Sequence, residues 1–135
     1  MTRPERYVLD ASVGVKWFRR EGGSAAARLL QQRSVLGEVW LAAPTHFVHE
    51  VLATVKREKQ AVAVLKAWEA IQASGMTIIP LTADVVAEAA GQCEALGCSF
   101  YDALAPACAV LLDARLASAD ARAHGAFPDV LLIEE

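Results

Sequence analysis

Four acidic residues stand in four separate segments of this 135-residue chain, each beside apolar sequence. They are Asp10 in Tyr-Val-Leu-Asp-Ala-Ser, Glu50 in His-Phe-Val-His-Glu-Val-Leu, Asp102 in Ser-Phe-Tyr-Asp-Ala-Leu and Asp120 in Leu-Ala-Ser-Ala-Asp. Acids at strand ends or helix starts lie where a parallel α/β sheet opens its ligand crevice. Carboxylates that converge there repel one another, so the group is stable at neutral pH mainly with hard cations among them. The pattern predicts a Mg²⁺ or Mn²⁺ site, for which a phosphodiester is the natural substrate.

Each of these acids also has a purely structural explanation. Asp10 and Asp120 suit helix N-caps, where a carboxylate oxygen accepts free backbone N–H groups. Asp102 falls within a first helical turn, where negative charge complements the helix macrodipole, and Glu50 can be an ordinary exposed helix residue. Capping does not explain the apolar residues that lead directly into Asp10 and Asp120. We therefore expect both of these acids at the mouths of buried strands.

Composition limits the class of protein. The chain has 55% apolar and 21% charged residues, enough to bury one core as a single domain spanning residues 1–135. The longest strongly apolar run without a charge, Ala103 to Leu112, is too short to cross a bilayer. The first nine residues lack the features of a secretory signal. We therefore expect a cytoplasmic protein with no membrane partner.

The formal net charge of −3 argues against binding nucleic acid through surface electrostatics alone, since such proteins usually carry a basic surface. Divalent cations among the acids weaken that objection, because they add positive charge where a phosphate docks. Lys56, Arg57 and Lys59 give a basic end to one predicted helix. A solvated helix C-terminus explains these three residues about as well as contact with RNA does.

The cysteines and histidines give no strong metal signature. Cys93, Cys98 and Cys108 form no Cys-x-x-Cys pair, so we expect reduced, buried thiols rather than disulfides or a zinc site. His46 and His49 have helical spacing, but the His-Glu-x-x-His order of metalloproteases is absent and no third ligand is suggested. Zinc hydrolysis is therefore disfavoured, although His49 can still line a groove.

Short apolar segments alternate with helical ones along the whole chain, without repeats or linkers. This alternation predicts a parallel sheet covered by helices on both faces. The predicted strands are Tyr7–Leu9, Trp40–Ala43, Thr77–Pro80, Arg115–Ser118 and Val130–Ile133. The predicted helices are Val13–Arg19, Ser24–Arg33, Thr45–Lys59, Ala61–Ala73, Ala83–Leu96, Phe100–Asp113 and a short turn at Ala121–His124.

Two of the predicted helices carry informative faces. The helix from Thr45 has an apolar stripe that packs on the sheet, and Glu50 lies off that stripe, facing either solvent or the edge of a cleft. The helix from Ala61 has Leu65, Trp68 and Ile71 at helical spacing, which suits either the core or a partner's helix. We expect these three residues to form an interface with a partner protein or with a second copy of the chain.

The ordered motifs resemble the PIN-domain ribonucleases, and more narrowly the VapC-type toxins of bacterial toxin–antitoxin pairs. The matching pieces are Val-Leu-Asp-Ala-Ser-Val-Gly-Val-Lys-Trp-Phe from Val8, Pro44 with Glu50-Val51, Tyr101-Asp102-Ala103 and Ser118-Ala119-Asp120. The resemblance implies an α/β fold, a PIN-like three-layer α/β/α domain with a parallel and usually five-stranded sheet. It also implies RNA cleavage that depends on Mg²⁺ or Mn²⁺.

The resemblance further implies partners and residue roles. The expected partners are an RNA substrate, a second copy in a homodimer, and a VapB-type antitoxin whose C-terminal segment occupies the active-site groove. The antitoxin or the second copy is the partner that we expect at the apolar face of the helix from Ala61. Ser12 and Ser118 match hydroxyl positions beside the first and last acids. Lys16 and Arg57 are candidates for contacts with RNA phosphates, with solvent exposure as their simpler explanation. The implied catalytic and metal-binding residues are Asp10, Glu50, Asp102 and Asp120.

The sequence leaves three questions open. Pro106 lies inside the predicted Asp102 helix, where the family more often has a helix-favouring or aromatic residue, and a kink there can alter fine geometry. A non-catalytic binding domain of the same fold is one alternative function. A DNA-directed nuclease is another, because discrimination between backbones depends on contacts to the 2′-hydroxyl that this sequence does not reveal.

Overall fold

The computed structural model describes residues 4–134, which form five strands and seven α-helices. The strands are β1 Glu5–Leu9, β2 Val39–Pro44, β3 Thr77–Ile79, β4 Arg115–Ser118 and β5 Leu131–Leu132. The helices are α1 Ala11–Gly14, α2 Ser24–Val35, α3 Thr45–Glu58, α4 Ala61–Ala73, α5 Ala83–Leu96, α6 Phe100–Leu111 and α7 Ala121–His124. Every predicted strand and helix is present, and most boundaries differ by no more than two residues.

The helix predicted over Val13–Arg19 is wrong in both bounds. It begins earlier, at Ala11, because Oδ2 of Asp10 accepts the N–H of Ser12 at 3.0 Å and starts the helix directly at the strand end. It continues only as a 3₁₀ turn over Val15–Trp17. The buried indole of Trp17 donates its Nε1–H to the carbonyl of Ala27 at 2.9 Å, so the chain turns toward α2 there.

All four strand pairings are parallel, in the order β3-β2-β1-β4-β5. The strand order reverses between β1 and β4, and such a switch point is where open parallel sheets bind ligands. The N–H of Asp10 donates to the carbonyl of Ala117 at 3.0 Å, which extends this pairing past the end of β1. The end of β1 and the end of β4 therefore open side by side.

Helices cover the sheet on both faces and give it two apolar cores. Leu9 belongs to the core on the side of α1, α2 and α3, whereas Val8 belongs to the core on the side of α5 and α6. Successive strand residues point to opposite faces, so β1 is buried on both sides, as expected for a central parallel strand. The three-layer α/β/α architecture implied by the family resemblance is confirmed.

Gly14 allows α1 to approach α3 closely. A Cβ atom at this position would lie 2.5 Å from the ring of Phe47 and 2.7 Å from Cγ2 of Val51, both of which are fully buried. The backbone of Gly14 is ordinary helix, with φ at −60°, so space rather than conformation requires glycine. This contact fixes the start of α1, after Asp10, against the α3 turn that contains Glu50.

Some burial predictions are corrected by the structure. Ile71 is a core residue with 1% of its surface exposed, because its face of α4 points at the sheet, whereas Leu65 and Trp68 are 64% and 45% exposed. Cys108 is buried, but Cys93 and Cys98 are only partly so, and all three thiols are free.

Within residues 4–134, no helix has the length and apolar character needed to span a membrane.

Candidate active site

Three of the four acids line one small cleft. Asp10 follows β1, Glu50 lies in the second turn of α3, and Asp102 lies in the first turn of α6. Their cleft has a volume of about 200 Å³ and is completed by Ala11, Ser12, Val15, His46 and Tyr101. Asp120 lies two residues beyond β4 and is not among the residues that line the cleft.

Two of the acids do cap helices, as their structural explanation predicted. Asp10 accepts the N–H of Ser12, and Oδ1 of Asp120 accepts the N–H of Ala123 at 3.1 Å. Each of these caps occupies only one oxygen of its carboxylate. Capping therefore leaves the second oxygen of Asp10 free for another ligand, and the two explanations of this residue are compatible.

The carboxylates of the cleft lack cationic partners among residues 4–134. No lysine or arginine in that range forms a salt bridge with Asp10, Asp102 or Glu50, and the only ionic neighbour of Glu50 is His46, at 3.9 Å. The negative field reaches Cys98, whose thiol pKa is raised first by burial, then by Cys93 and by the charges of Asp102 and Asp10. The cleft is therefore rich in negative charge that no salt bridge from a lysine or arginine within residues 4–134 offsets.

The donor atoms of the cleft suit a hard divalent cation. No three Asp, Glu, His or Cys side chains within residues 4–134 are close enough to form a ready-made metal cluster. Mg²⁺, however, usually keeps several waters and is held by only one or two carboxylates. Asp10, Glu50 and Asp102 supply carboxylate oxygens around a cleft large enough for a hydrated ion. These residues therefore fit the cation that the family resemblance implies.

Ser12 and Ser118 hold the ends of β1 and β4 together. Oγ of Ser12 accepts the N–H of Ala119 at 2.9 Å, and Oγ of Ser118 accepts the N–H of Asp120 at 3.0 Å. The two hydroxyl oxygens are 3.5 Å apart. Among residues 4–134, neither hydroxyl is hydrogen-bonded to a carboxylate, and both bond to the backbone beside the acids.

The structure does not support Lys16 as a phosphate contact. Its side chain is buried, and its Nζ donates to the carbonyl of Gly22 at 2.6 Å and to Oε1 of Glu21 at 3.3 Å. These bonds tie the 3₁₀ turn to the loop before α2 and leave no ammonium group exposed in the cleft. The solvent-facing alternative is also wrong for this residue.

Arg57 remains a candidate for contact with substrate. It is exposed, and its Nη2 donates to Oγ1 of Thr54 at 3.0 Å. It lies seven residues after Glu50 in α3, which places it on the same helix face, about 10 Å further along.

Sequence reasoning missed His124, which lies in the protein interior between Ser118 and the backbone of Asp102. Its side chain is fully buried, with 0% exposed, and lies within hydrogen-bonding distance of two groups. Nδ1 is 2.6 Å from Oγ of Ser118, and Nε2 is 2.6 Å from the backbone oxygen of Asp102. The signal in the sequence was Pro106, four residues after Asp102, because proline lacks the N–H that would bond to the backbone oxygen of Asp102. The sequence does not show that His124, 22 residues from Asp102, takes its place.

A larger apolar groove adjoins the acidic cleft. It has a volume of about 640 Å³, and His46, Glu50 and Tyr101 line both cavities. The rings of His46 and Tyr101 stack between them, with centroids 4.5 Å apart. His49 lines this groove and not the acidic cleft. Its remaining walls are Pro44, Thr45, Ile79, Pro80, Leu81, Val85, Phe100 and Leu104.

The fold and cleft define an α/β domain that places acids at the switch point of a parallel sheet. The sequence pattern of the PIN domain matches residues 7–127, most of the chain. The chain therefore belongs to the PIN domain family. No curated protein matches it significantly.

Several solved structures share the fold at low sequence identity. A toxin–antitoxin complex from Klebsiella pneumoniae has 17% identity and a TM-score of 0.72, over 96% of this chain and 98% of that one. VapBC2 from Rickettsia felis, bound to a promoter DNA fragment, has 16% identity and a TM-score of 0.71, over 96% and 98%. VapC20 from Mycobacterium tuberculosis, a toxin that cleaves the sarcin–ricin loop, has 16% identity and a TM-score of 0.71, over 93% and 98%. The fold is thus that of VapC-type PIN domains.

Proposed function

We propose that this protein is a metal-dependent endoribonuclease that acts as the toxin of a toxin–antitoxin pair in the cytoplasm. The observation that carries the proposal is the group of three carboxylates, without cationic partners among residues 4–134, around one cleft at the switch point of a PIN sheet. Nuclease activity is general in this family, and one structurally similar protein is a toxin that cleaves the sarcin–ricin loop. Family membership and fold therefore support nuclease cleavage as the reaction class. The three acids of the cleft support the proposal that this chain carries out such a reaction.

Each residue has a defined part in the proposed reaction. The carboxylates of Asp10, Glu50 and Asp102 would hold a hydrated Mg²⁺ or Mn²⁺ ion in the cleft, and Asp120, at the end of β4 outside the lining of the cleft, would add negative charge beside it. When bound, the cation supplies Lewis acidity at the phosphate and lowers the pKa of a bound water. Ser12 and Ser118 fix the backbone on which the first and last acids stand. Arg57 contacts the RNA backbone beside the cleft.

The direct test is the cleavage of single-stranded RNA by Asp102→Asn. This change removes one negative charge and almost no volume, so the fold persists while the cation is lost. We expect cleavage in Mg²⁺ to fall by at least about 100-fold, since metal and transition-state stabilisation are lost together. Glu69→Gln is the matched control, because it removes one charge from an exposed position on α4 that does not line the cleft. Undiminished cleavage by Asp102→Asn at saturating Mg²⁺ would refute the assignment.

The same experiment separates the alternatives. Cleavage of DNA but not RNA of the same sequence identifies a DNA-directed nuclease. Absence of both cleavage and Mn²⁺ binding in the wild type identifies a non-catalytic binding domain.

The antitoxin is proposed to cover the cleft from the adjoining apolar groove. Because both cavities share the His46, Glu50 and Tyr101 wall, a protein segment with apolar side chains in the groove blocks access to the carboxylates. Antitoxins accompany several proteins of similar fold.

This partner can be tested with the product of a small open reading frame adjacent to this gene. Leu81, which is 60% exposed, lines the groove and not the cleft. We expect Leu81→Asp to weaken the complex and to relieve inhibition, while free-enzyme cleavage persists. Val110→Asp, on an exposed part of α6 outside the groove, is the control. Equal binding by both variants would exclude the groove as the antitoxin site.

A further inference from the structure

Pro106 deprives the backbone oxygen of Asp102 of its helical hydrogen bond. In a regular α-helix, the N–H of residue 106 would donate to the carbonyl of residue 102. Proline has no N–H, and its ring also crowds that carbonyl and turns it out of the helix. Residues on both sides of Pro106 are buried, so water is a poor substitute as a donor.

His124 provides the missing donor from another element. Its Nε2 is 2.6 Å from the backbone oxygen of Asp102, and a carbonyl can only accept, so Nε2 carries the proton in this contact. In the neutral ring Nδ1 is then an acceptor, and Oγ of Ser118, 2.6 Å away, donates to it. The imidazole therefore bridges the start of α6 to the end of β4.

The bridge is enclosed in the protein interior and its polar atoms are hydrogen-bonded. His124 and Ser118 are both fully buried, and no buried side-chain polar atom within residues 4–134 lacks a partner. The backbone N–H of His124 also donates to the carbonyl of Asp120 at 3.0 Å. One histidine thus connects the backbone of Asp102 to the segment that contains Asp120.

We propose that His124 is a positioning residue that fixes the Asp102 carboxylate relative to the acids at the ends of β1 and β4. This inference rests on the proposed function, since Asp102 must be a cation ligand for its placement to matter. Pro106 leaves the backbone oxygen of Asp102 without a donor from its own helix, and His124 supplies that donor. Partners that orient metal ligands from behind typically change metal affinity or activity about 10- to 100-fold when mutated.

Two conservative variants separate the two hydrogen bonds of the ring. In His124→Gln the amide nitrogen can replace Nε2 and donate to Asp102, whereas His124→Asn can replace only Nδ1, beside Ser118. We expect the Mn²⁺ affinity of folded His124→Asn, measured by calorimetry well below its melting temperature, to fall about 10-fold or more. His124→Gln should retain most of the affinity, and RNA cleavage should follow the same order. Equal affinity in the wild type and both variants would overturn the proposal.

A second experiment restores the donor within α6. Pro106→Ala returns an N–H that can bond to the carbonyl of Asp102, so the requirement for His124 should diminish. We expect His124→Asn to weaken Mn²⁺ binding much less in the Pro106→Ala background than in the wild type. If the loss is the same in both backgrounds, His124 acts through general packing and the inference is wrong.

Failure of the positioning role can be distinguished from failure of the proposed function. If the wild type binds no Mn²⁺ and cleaves no RNA, the proposed function and the positioning role both fail. The hydrogen bond from His124 to the backbone oxygen of Asp102 is then still tested by denaturant unfolding of the wild type, Pro106→Ala, His124→Asn and the double variant, where non-additive free energies show the coupling of the two positions. Additive unfolding free energies would remove the contact on which the inference depends.

Discussion

At the level of single residues, Asp10 both caps a helix and lines the acidic cleft. It accepts the N–H of Ser12 and also lines the cleft with Glu50 and Asp102. Asparagine caps helices about as well as aspartate, so replacement of this acid separates its charge from its capping role.

The melting temperature of Asp10→Asn tests this separation. In chelator, we expect the variant to melt no lower than the wild type, because its cap persists and one repelling charge is gone. In Mn²⁺ the order should invert, since a ligand at 100 times its Kd stabilises the wild type by about 2.7 kcal/mol. Glu69→Gln should respond to Mn²⁺ as the wild type does. Equal destabilisation of Asp10→Asn with and without Mn²⁺ would show that Asp10 is a cap alone.

The buried thiol of Cys108 should make the folded protein less stable at high pH. Burial raises the pKa of its thiol from an ordinary value of 9.0 to about 11. The folded protein therefore holds this proton more tightly than the unfolded chain does. The associated stability is complete below pH 9 and is lost as the pH rises toward 11, by about 2–3 kcal/mol for a shift of this size. Urea unfolding at several pH values should show a steeper decline for the wild type than for Cys108→Ala. Parallel declines would contradict a thiol that resists ionisation.

At the level of elements, the contact of α1 with α3 sets the spacing of two acids. Gly14 has no room for a Cβ atom beside Phe47 and Val51. The two helices approach closely enough for Asp10, just before α1, and Glu50, within α3, to line the same cleft.

Gly14→Ala should therefore disturb both stability and the site. We expect a loss of about 1–3 kcal/mol, typical of overpacking, together with weaker Mn²⁺ binding as α1 moves away from α3. Gly91→Ala is the matched control, since this α5 position is exposed and the nearest atom to a new Cβ lies 3.7 Å away. Alanine there should stabilise the helix by about 0.5–1 kcal/mol. A Gly14→Ala variant as stable as Gly91→Ala would contradict the steric argument.

At the level of the whole molecule, α4 leaves an apolar surface uncovered. Val62, Leu65 and Trp68 are 56%, 64% and 45% exposed on one helix, whereas Ile71 is packed in the core. An exposed apolar patch of this kind is typical of an interface, and a second copy of the chain is the partner that we expect.

Trp68→Ala tests this interface in solution. We expect a shift from dimer to monomer in sedimentation experiments, with little change in melting temperature after correction for concentration. Val110→Ala, on a different exposed surface, should leave the assembly unchanged. A strictly monomeric wild type together with a strongly destabilised Trp68→Ala variant would show that Trp68 belongs to the core.

Local sequence patterns predicted the alternation of strands and helices, the parallel sheet and the candidate acids. These features are local, because they depend on periodicity, on caps such as Asp10 and on apolar runs that lead into them. The helix predicted over Val13–Arg19 was the exception, since the buried contact of Trp17 with Ala27 ends it early.

The way in which these acids are held, and the availability of nearby residues, depend on contacts between distant parts of the chain. Lys16 looked free in the sequence, but the loop at Glu21 and Gly22 binds its ammonium group. Pro106 was recognisable in the sequence as a residue that disrupts a helix. The donor to the backbone oxygen of Asp102, however, comes from His124, which is 22 residues away in the chain. Hydrogen bonds between distant segments satisfy polar groups left unpaired by local structure, and local sequence patterns do not contain that pairing.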